Sequence, residues 1–281
     1  MVASNGECAG RVALVTGASR GIGAAIAERL ASEGAAVALA ARSLDTHPPD
    51  LPGTLLEMVE KIEKRGGRAI AIQGDAGQAD SRANMVSECE RQLGPIDILV
   101  PNAAYAPYRP FFDFSEDDFY TSYEMNVRAA FHLCQLVLPA MRERGRGWVL
   151  NISSATAEHP DGPPYIPWHQ EGGYHLYGAS KAALNRFTTG LAAEFHEHGI
   201  AINTLAPLMA VLTPGMARFD LAAYVDDSMF EPVEAMAEAA LALCSCDPQK
   251  LTGRVAYSLP LLEELGRTIR TLDGSAVYEE E

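Results

Sequence analysis

A glycine-rich turn near the start of the chain constrains the fold more than any other feature. The run Thr16-Gly17-Ala18-Ser19-Arg20-Gly21-Ile22-Gly23 follows a short apolar segment and precedes a helical pattern. Glycines at this spacing permit a tight turn and let backbone N–H groups approach a pyrophosphate, while the next helix presents its N-terminus to the negative charge. The run therefore predicts a dinucleotide-binding turn, whose contacts would come from Gly17, Ser19, Arg20, Gly21, Ile22 and Gly23.

Short apolar runs alternate with helical patterns along the rest of the chain. The runs lack polar alternation, as in strands covered on both faces; they are Val12–Val15, Ala36–Ala40, Ala69–Ile72, Ile96–Val100, Trp148–Ile152, Ala201–Leu205 and Val255–Tyr257. The helical patterns include Ala24–Glu33, Leu55–Arg65, Arg82–Leu93, Asp117–Met141 and Gly178–Glu197. This alternation predicts a single-domain, Rossmann-type α/β fold, a doubly wound parallel sheet of about seven strands with helices on both faces.

The chain's 281 residues suit one large α/β domain. We expect this domain to span residues 1–258, including the substrate loop, and an acidic tail, 259–281, to fray. A formal net charge of −15 disfavours nucleic acid and anionic membrane as partners. Five scattered cysteines without Cys-x-x-Cys argue against disulfides and zinc. Because no signal or membrane-spanning segment is recognisable, we expect a cytoplasmic protein that acts on a small molecule.

The glycine-rich run resembles the cofactor motif of the short-chain dehydrogenases/reductases, and the resemblance extends over roughly Gly10 to Gly253. It implies that Asp75, in Gly74-Asp75-Ala76 after the third strand, hydrogen-bonds the adenine amino group, with Ala76 beside it.

The resemblance is only partial after the fourth strand. Asn102 and Ala103 fit the family's Asn-Asn-Ala-Gly and imply cofactor contacts, whereas Pro101 and Ala104 replace its first Asn and its Gly. Because proline has no N–H donor, we expect the sheet beneath the cofactor to be supported differently here.

The end of the second strand favours NADP(H). NAD-specific relatives carry an aspartate where Ala41 stands, and its absence removes a charge that would repel a 2′-phosphate. Arg20 and Arg42 could both reach this phosphate, with Ser43 as a further donor. Either arginine alone could be a solvated surface residue, but the pair without an acid favours NADP(H) over NAD(H).

Tyr177 and Lys181 lie four residues apart and so share one face of a helix. We expect the Lys181 cation and the oxidised nicotinamide to lower the pKa of Tyr177, which would serve as general acid/base between a carbonyl and an alcohol. Within the resemblance, both residues also contact the cofactor. The resemblance further implies that Ser154 hydrogen-bonds the reacting oxygen, with Ser153 as the alternative.

The resemblance gives Asn126, in Met125-Asn126-Val127, a part in proton supply. Its main chain and side chain would hold the water that leads to Lys181. The four residues Asn126, Ser154, Tyr177 and Lys181 therefore form the expected catalytic set.

Two departures from the family pattern bear on the substrate. The first is an enlarged insert between Ser154 and Tyr177, for which we expect a pocket wall or an oligomer contact; it contains His159, Tyr165, Trp168, His169 and His175. No pair of these histidines has helical ligand spacing, so we expect no metal site.

The second departure follows the sixth strand, where Leu208 replaces the usual glycine after Pro207. We expect Pro207 and Thr213 to contact the cofactor, Thr213 at its carboxamide or diphosphate, to within one residue of register. This loss, like Leu51-Pro52-Gly53-Thr54, resembles the hydroxysteroid dehydrogenase-like branch. The loop is rich in apolar side chains, namely Leu208, Met209, Val211, Leu212, Met216 and Phe219.

The leading hypothesis is an NADP(H)-dependent oxidoreductase acting on the CH–OH group of a donor, or on the matching carbonyl, with a bulky, apolar substrate. The alternative is a degenerate nucleotide-binding sensor or scaffold, suggested by Pro101, Ala104 and Leu208. Retention of the whole catalytic set favours the enzyme. Because the family pairs its long helices across two-fold axes, we also expect a homodimer or homotetramer.

Overall fold

The computed structural model describes residues 6–216 and 229–279, and its centre is a parallel β-sheet. Within this part of the chain, seven strands follow the order β3-β2-β1-β4-β5-β6-β7. The strands are β1 (Val12–Thr16), β2 (Ala36–Ala41), β3 (Arg68–Gln73), β4 (Ile98–Val100), β5 (Gly147–Ile152), β6 (Ile200–Ala206) and β7 (Val255–Tyr257). Each neighbouring pair is parallel. The arrangement confirms the doubly wound α/β fold that the sequence pattern predicts.

Helices cover the sheet and supply every crossover between its parallel strands. They are α1 (Gly21–Ser32), α2 (Leu55–Lys64), α3 (Ala79–Leu93), α4 (Glu116–Tyr123), α5 (Ala129–Arg144), α6 (Pro167–Glu171), α7 (His175–Phe195), α8 (Val233–Ser245) and α9 (Ser258–Leu265). Capping boxes at Thr54 and Ser115 start α2 and α4. Over the described residues, none of the helices combines the length and the apolar character needed to cross a membrane.

The sheet separates two apolar layers, and alternate strand residues contribute to opposite layers. Ala13 and Val15 of β1 pack with α1, α2, α8 and α9, whereas Val12 and Leu14 pack with α3, α5 and α7. Strands that are apolar on both faces therefore explain the unbroken hydrophobic runs in the sequence.

The helix predicted over 117–141 is not continuous in the structure. A π-helical turn, Glu124–Arg128, separates α4 from α5, and the Ala129 N–H bonds to the Glu124 carbonyl across it. This turn contains one extra residue, and Asn126 lies at its centre. Such turns occur often at functional sites. Apolar periodicity did not reveal the interruption, because one extra residue in a long helical pattern changes the spacing of the buried positions very little.

The tail after residue 258 is folded, contrary to the expectation that it frays. Helix α9 packs on α8, and its Leu261 and Leu262 are buried in the same core as α1 and α8. Beyond the helix, residues 270 and 277 form an antiparallel bridge. The prediction was wrong because it weighed the acidic end of the segment and not the apolar Leu259-Pro260-Leu261-Leu262 at its start.

Buried charges join the folded tail to the N-terminal half. Arg29 of α1 is almost fully buried and donates to Glu238 of α8 at 2.9 Å and to Glu33 at 2.6 Å. Arg267, which follows α9, donates to Glu238 and to Glu7, both at 2.7 Å. Because a buried carboxylate needs paired partners, these bonds hold α1, α8 and the tail in one arrangement.

Truncation of a tail residue tests whether this segment belongs to the core. We expect Leu262→Ala to lower the free energy of unfolding by about 2–5 kcal/mol, because it leaves a cavity against α8. Leu265→Ala is the matched control, since Leu265 is exposed and its change should stay within roughly 0.5 kcal/mol. Urea denaturation followed by circular dichroism measures both. Equal, small losses would show that the tail contributes nothing to the core.

Candidate active site

A cleft of about 1190 Å³ lies at the carboxyl ends of the strands. In a doubly wound sheet the loops after successive strands meet at this edge, which is where such folds bind ligands. The predicted site residues that line the cleft are Gly17, Ser19, Arg20, Gly21, Ile22, Gly23, Arg42, Ser43, Asp75, Ala76, Asn102, Ala103, Ser154, Tyr177, Lys181, Pro207 and Thr213. Asn126, the remaining one, is buried behind the cleft wall.

The glycine-rich turn at residues 16–23, which we call the phosphate loop, has backbone conformations and close contacts that only glycine allows. Gly17 and Gly21 have φ of 68° and 59°, the left-handed region that side chains rarely adopt. A Cβ at Gly23 would lie 2.6 Å from the Gly17 carbonyl oxygen, so the loop could not close with any larger residue there. Helix α1 starts at Gly21 and points its N-terminus at the cleft. These features fit the pyrophosphate of a dinucleotide.

Asn102 and Thr16 supply the support that was expected to differ beneath the cofactor. The backbone N–H groups of Asn102 and Ala103 both donate to Thr16 Oγ1 at 3.1 Å. The Asn102 amide donates to the Thr16 carbonyl at 2.9 Å, and the Pro101 carbonyl accepts from Ile152 N–H at 3.2 Å. The carbonyl of Pro101 therefore still accepts a hydrogen bond. The N–H groups of Asn102 and Ala103 supply the donors next to the N–H that proline lacks.

The turn after β3 is hydrogen-bonded by Arg82, a residue that the sequence motifs did not indicate. Asp75 Oδ1 accepts from the Gly77 N–H at 2.9 Å, and Ser81 Oγ accepts from the Asp75 N–H. Arg82 is fully buried and donates to the Ala76 carbonyl at 2.6 Å and to Glu124 at 2.8 Å. A buried guanidinium therefore connects this turn to the π-helical turn. The helical pattern beginning at Arg82 gave no sign of that contact.

Two arginines stand together at the end of β2. Arg20 donates to Ser43 Oγ at 3.0 Å and to the Gly53 carbonyl at 2.7 Å, so the Leu51–Thr54 segment holds it in place. Burial lowers the pKa of Arg20, and the nearby charge of Arg42 lowers it further. Arg42 is exposed at the cleft rim. Two cations that repel each other across a cleft rim provide a site for an anion.

Tyr177 and Lys181, the expected catalytic pair, share one face of a helix as their spacing predicts. Both side chains come from α7, and Lys181 Nζ lies 5.7 Å from the centre of the Tyr177 ring. Lys181 donates to the Ile152 carbonyl, at the end of β5, at 2.7 Å. Ser154 follows that strand and hydrogen-bonds Tyr177. The Ser154 hydroxyl also accepts from Thr156 Oγ1 at 2.9 Å, which fixes its position.

Burial acts on Tyr177 in the direction opposite to the one expected. It raises the pKa of Tyr177 to about 12, and the hydrogen bond with Ser154 opposes the rise only in part. Burial also lowers the pKa of Lys181 to about 7. The expected lowering of the tyrosine pKa rested on the Lys181 cation together with the oxidised nicotinamide, whereas desolvation dominates the contribution of the protein itself. At neutral pH Tyr177 is therefore protonated and able to donate.

The side chain of Asn126 is hydrogen-bonded to other residues of the protein. Its side-chain oxygen accepts from the Tyr105 N–H at 2.9 Å. Its amide donates to the Tyr105 carbonyl at 2.8 Å and to Ser180 Oγ at 2.9 Å, and Ser180 in turn donates to the Tyr177 carbonyl. Both amide protons thus have protein acceptors, and one of the two lone pairs of the amide oxygen is occupied by the Tyr105 N–H.

The insert between Ser154 and Tyr177 forms one wall of the cleft. Trp168, His169 and Tyr174 line it, whereas Tyr165 is exposed and absent from the lining. Tyr108, from the loop after β4, also lines this wall and was not predicted. Across residues 6–216 and 229–279, no group of three or more His, Cys, Asp or Glu could hold a metal ion.

The loop after β6 is held by a second missed residue, Glu231. This carboxylate is buried and accepts from the N–H groups of Leu208 and Met209 at 3.0 and 3.2 Å. It also accepts from Ser258 Oγ at 2.6 Å, which joins the loop to the start of α9. Burial raises the pKa of Glu231. Leu208, where the sequence departs from the family pattern, and Ser258 at the start of α9 therefore meet at this carboxylate.

The chain that carries this cleft is similar in sequence and in fold to known proteins. A sequence model described as short chain dehydrogenase matches residues 11–220, about three quarters of the chain. The chain belongs to the short-chain dehydrogenase family. It is thus a member of an oxidoreductase family that uses nicotinamide cofactors.

Three relatives show the extent of the likeness. A short chain dehydrogenase from Pseudocercospora fijiensis is 36% identical over 220 residues, 78% of this chain but only 63% of that protein. The 7α-hydroxysteroid dehydrogenase of Escherichia coli K12 is 31% identical over 253 residues, 88% of this chain and 91% of its own. The L-sorbose reductase of Gluconobacter frateurii, solved with NADPH and L-sorbose, gives a TM-score of 0.75 at 28% identity, covering 89% of this chain and 95% of that one.

The solved relatives differ in their nicotinamide. A 7α-hydroxysteroid dehydrogenase structure, with a TM-score of 0.76 at 28% identity over 100% of both chains, is complexed with NADH and 7-oxo glycochenodeoxycholic acid. The sorbose reductase holds NADPH instead. The likeness therefore supports a nicotinamide cofactor without selecting its form, and it supports the resemblance to the hydroxysteroid dehydrogenase branch.

The lowered pKa of Lys181 makes the stability of this dehydrogenase depend on pH. The unfolded chain keeps this lysine charged up to its usual pKa of 10.5, whereas the folded protein does so only below about 7. The unfolded state binds more protons between these values, so stability rises with pH across that window. We expect Lys181→Met to be more stable than the native protein at pH 7, with the difference shrinking by roughly 3 kcal/mol by pH 10.

Chemical denaturation at the two pH values measures this difference. Lys250→Met is the control, because Lys250 is exposed and its removal should leave the pH dependence unchanged. A difference between the native and Lys181→Met proteins that does not vary with pH would contradict the lowered pKa.

Proposed function

We propose that this dehydrogenase transfers a hydride between NADP(H) and a carbonyl/secondary-alcohol pair on a bulky, apolar small molecule. The observation that carries the proposal is the meeting of Ser154, Tyr177 and Lys181 at one end of a cleft whose other end is a phosphate loop. A degenerate sensor would need none of the three. The four residues Asn126, Ser154, Tyr177 and Lys181 are proposed as the catalytic set.

The residues of the set have separable roles in carbonyl reduction. Bound NADPH supplies the hydride that the carbonyl carbon receives. The protonated Tyr177 hydroxyl donates its proton to the carbonyl oxygen, and Ser154 donates a hydrogen bond to the same oxygen as charge develops. Lys181 stabilises the resulting phenolate until a proton returns from solvent. Asn126 hydrogen-bonds both Tyr105 and Ser180 and so holds α7 against the loop after β4.

The other predicted contacts are proposed to hold the cofactor along the cleft. The N-terminus of α1 and the loop glycines face the diphosphate, and Asp75 with Ala76 faces the adenine. Tyr177 and Lys181 face the nicotinamide ribose. The remaining contacts are proposed for Ser19, Ile22, Asn102, Ala103, Pro207 and Thr213.

A preference for NADP(H) is supported by the two cations at the end of β2. Ser43 and the Gly53 carbonyl hold the Arg20 guanidinium at the rim, where exposed Arg42 lies near enough to perturb it. The position of Ala41 carries no carboxylate that would repel a 2′-phosphate. A dianionic phosphate would relieve the repulsion between the two arginines.

Charge reversal at Arg42 tests the cofactor choice. Isothermal titration calorimetry should show tighter binding of NADPH than of NADH to the native protein. Arg42→Asp should reverse that order, because it repels the phosphate and supplies an acceptor for the ribose hydroxyl. Arg68→Asp, which changes an exposed arginine outside the cleft, is the control for net charge. Equal or tighter NADH binding by the native protein would refute the preference.

Removal of one oxygen atom tests the chemistry. Tyr177→Phe should lower turnover by about two to four orders of magnitude, the usual range for a positioned acid/base. Cofactor affinity and the unfolding curve should change little, because the ring stays. Tyr120→Phe, at an exposed tyrosine, should keep native turnover. Near-native turnover by Tyr177→Phe, on a ketone that the native protein reduces, would show that Tyr177 is not the proton donor.

An apolar substrate is supported by the loop after β6. Leu208, Met209, Val211 and Met216 line the same cleft as the insert. Leu212 is exposed and takes no part in the lining, and Phe219 lies outside the described residues. A homodimer or homotetramer and a cytoplasmic location stay predictions.

A further inference from the structure

Four aromatic rings follow one another along the substrate end of the cleft. The Tyr177 ring lies 5.9 Å from that of Tyr108, centre to centre. Tyr108 meets Trp168 edge-on at 6.1 Å, and Trp168 stacks on Tyr174 at 4.8 Å with an angle of 21° between the planes. All four residues line the cleft. We call Tyr108, Trp168 and Tyr174 the aromatic wall.

The aromatic wall is held rigidly by the elements behind it. The Arg109 N–H donates to the Gly173 carbonyl at 3.1 Å, which joins the loop carrying Tyr108 to the end of the insert. A Cβ at Gly172 would lie 2.7 Å from Trp168 Cε3, so the indole packs directly on this backbone. Tyr174 is buried and hydrogen-bonded to His169. Rigid rings lose little conformational entropy when a ligand binds.

The wall also has a fixed relation to the catalytic group. Tyr174 precedes α7, and its carbonyl accepts from the Gly178 N–H at 2.7 Å. The wall therefore moves with the helix that carries Tyr177. Tyr108 is the ring next to Tyr177, so a carbonyl bonded to the Tyr177 hydroxyl has its attached atoms beside the wall.

The chemistry of the wall selects the shape of the substrate. Aromatic rings attract one another through the negative face and positive edge of each ring, a contribution beyond the burial of area. A saturated ring of equal size buries similar area but presents no such face. None of the wall's three rings carries a formal positive charge, so an anionic ring system would gain no charge partner from them.

We propose that the aromatic wall binds a planar aromatic ring fused to the ring that carries the reacting carbonyl. This inference rests on the proposed carbonyl reduction and makes the substrate a fused bicyclic or larger aromatic ketone. The insert, through Trp168, is then what sets this preference.

Two ketones of matched size test the wall. 2-Tetralone and 2-decalone share a bicyclic frame and an unconjugated carbonyl, and only the first has an aromatic ring. With NADPH oxidation as the assay, kcat/KM for 2-tetralone should exceed that for 2-decalone by roughly three- to tenfold. Trp168→Leu should bring this ratio close to one, mainly through KM. Trp168→Phe should restore most of the ratio, and circular dichroism checks that both variants fold.

The matched control lies in the same insert. Tyr165→Leu removes an exposed ring outside the cleft and should leave the ratio at its native value. A ratio near one in the native protein, or a ratio that survives Trp168→Leu, would overturn the role of the wall.

A binding measurement separates this inference from the proposed reaction. Calorimetry in the presence of NADPH, which cannot react with an alcohol, compares 2-naphthol with 2-decalol. Tighter binding of 2-naphthol, if Trp168→Leu abolishes the difference, supports the wall even when neither ketone is turned over. The absence of turnover would then count against the proposed reaction and not against the wall. Turnover of both ketones with equal binding of the two alcohols overturns the wall and leaves the reaction standing.

Discussion

Three hydrogen bonds from the buried amide of Asn126 join the parts of the site that come from distant stretches of chain. Two of them engage the backbone of Tyr105 at both its N–H and its carbonyl. The third reaches Ser180, 54 residues away, on the helix that carries Tyr177 and Lys181. The π-helical turn aims this amide at both partners, and Arg82 with Glu124 braces the turn from α3. The loop after β4 and the helix α7 therefore share one buried junction.

Much of this architecture was predictable because its signals are local. Apolar runs without polar alternation identified the strands, and the parallel sheet then brought their carboxyl ends to one edge. The phosphate loop, Ser154, Tyr177 and Lys181 each follow a strand or share a helical face, so their convergence needed no knowledge of side-chain contacts. A one-residue interruption such as the turn at Asn126 leaves periodicity almost intact and was invisible.

The rest depended on contacts between distant segments. Glu231 bonds to Leu208 across 23 residues, and no motif marks a carboxylate that accepts from backbone. Tyr108 becomes a wall residue only because the insert folds back to meet it through Gly173. The effect of burial on the pKa of Tyr177 was not predictable for a related reason: a sequence shows which charges are near along a helix but not how far water is excluded.

The cluster around Glu238 changes what the C-terminal segment means for this protein. This carboxylate lies among α1, α8 and the tail, and it accepts from Arg29 on one side and Arg267 on the other. Arg267 also donates to Glu7, an exposed carboxylate near the start of the described residues, and so links that end of the chain to Glu238. Loss of the segment after residue 258 would leave the buried Glu238 carboxylate paired with Arg29 alone among these two arginines, on the helix whose N-terminal residues line the cleft.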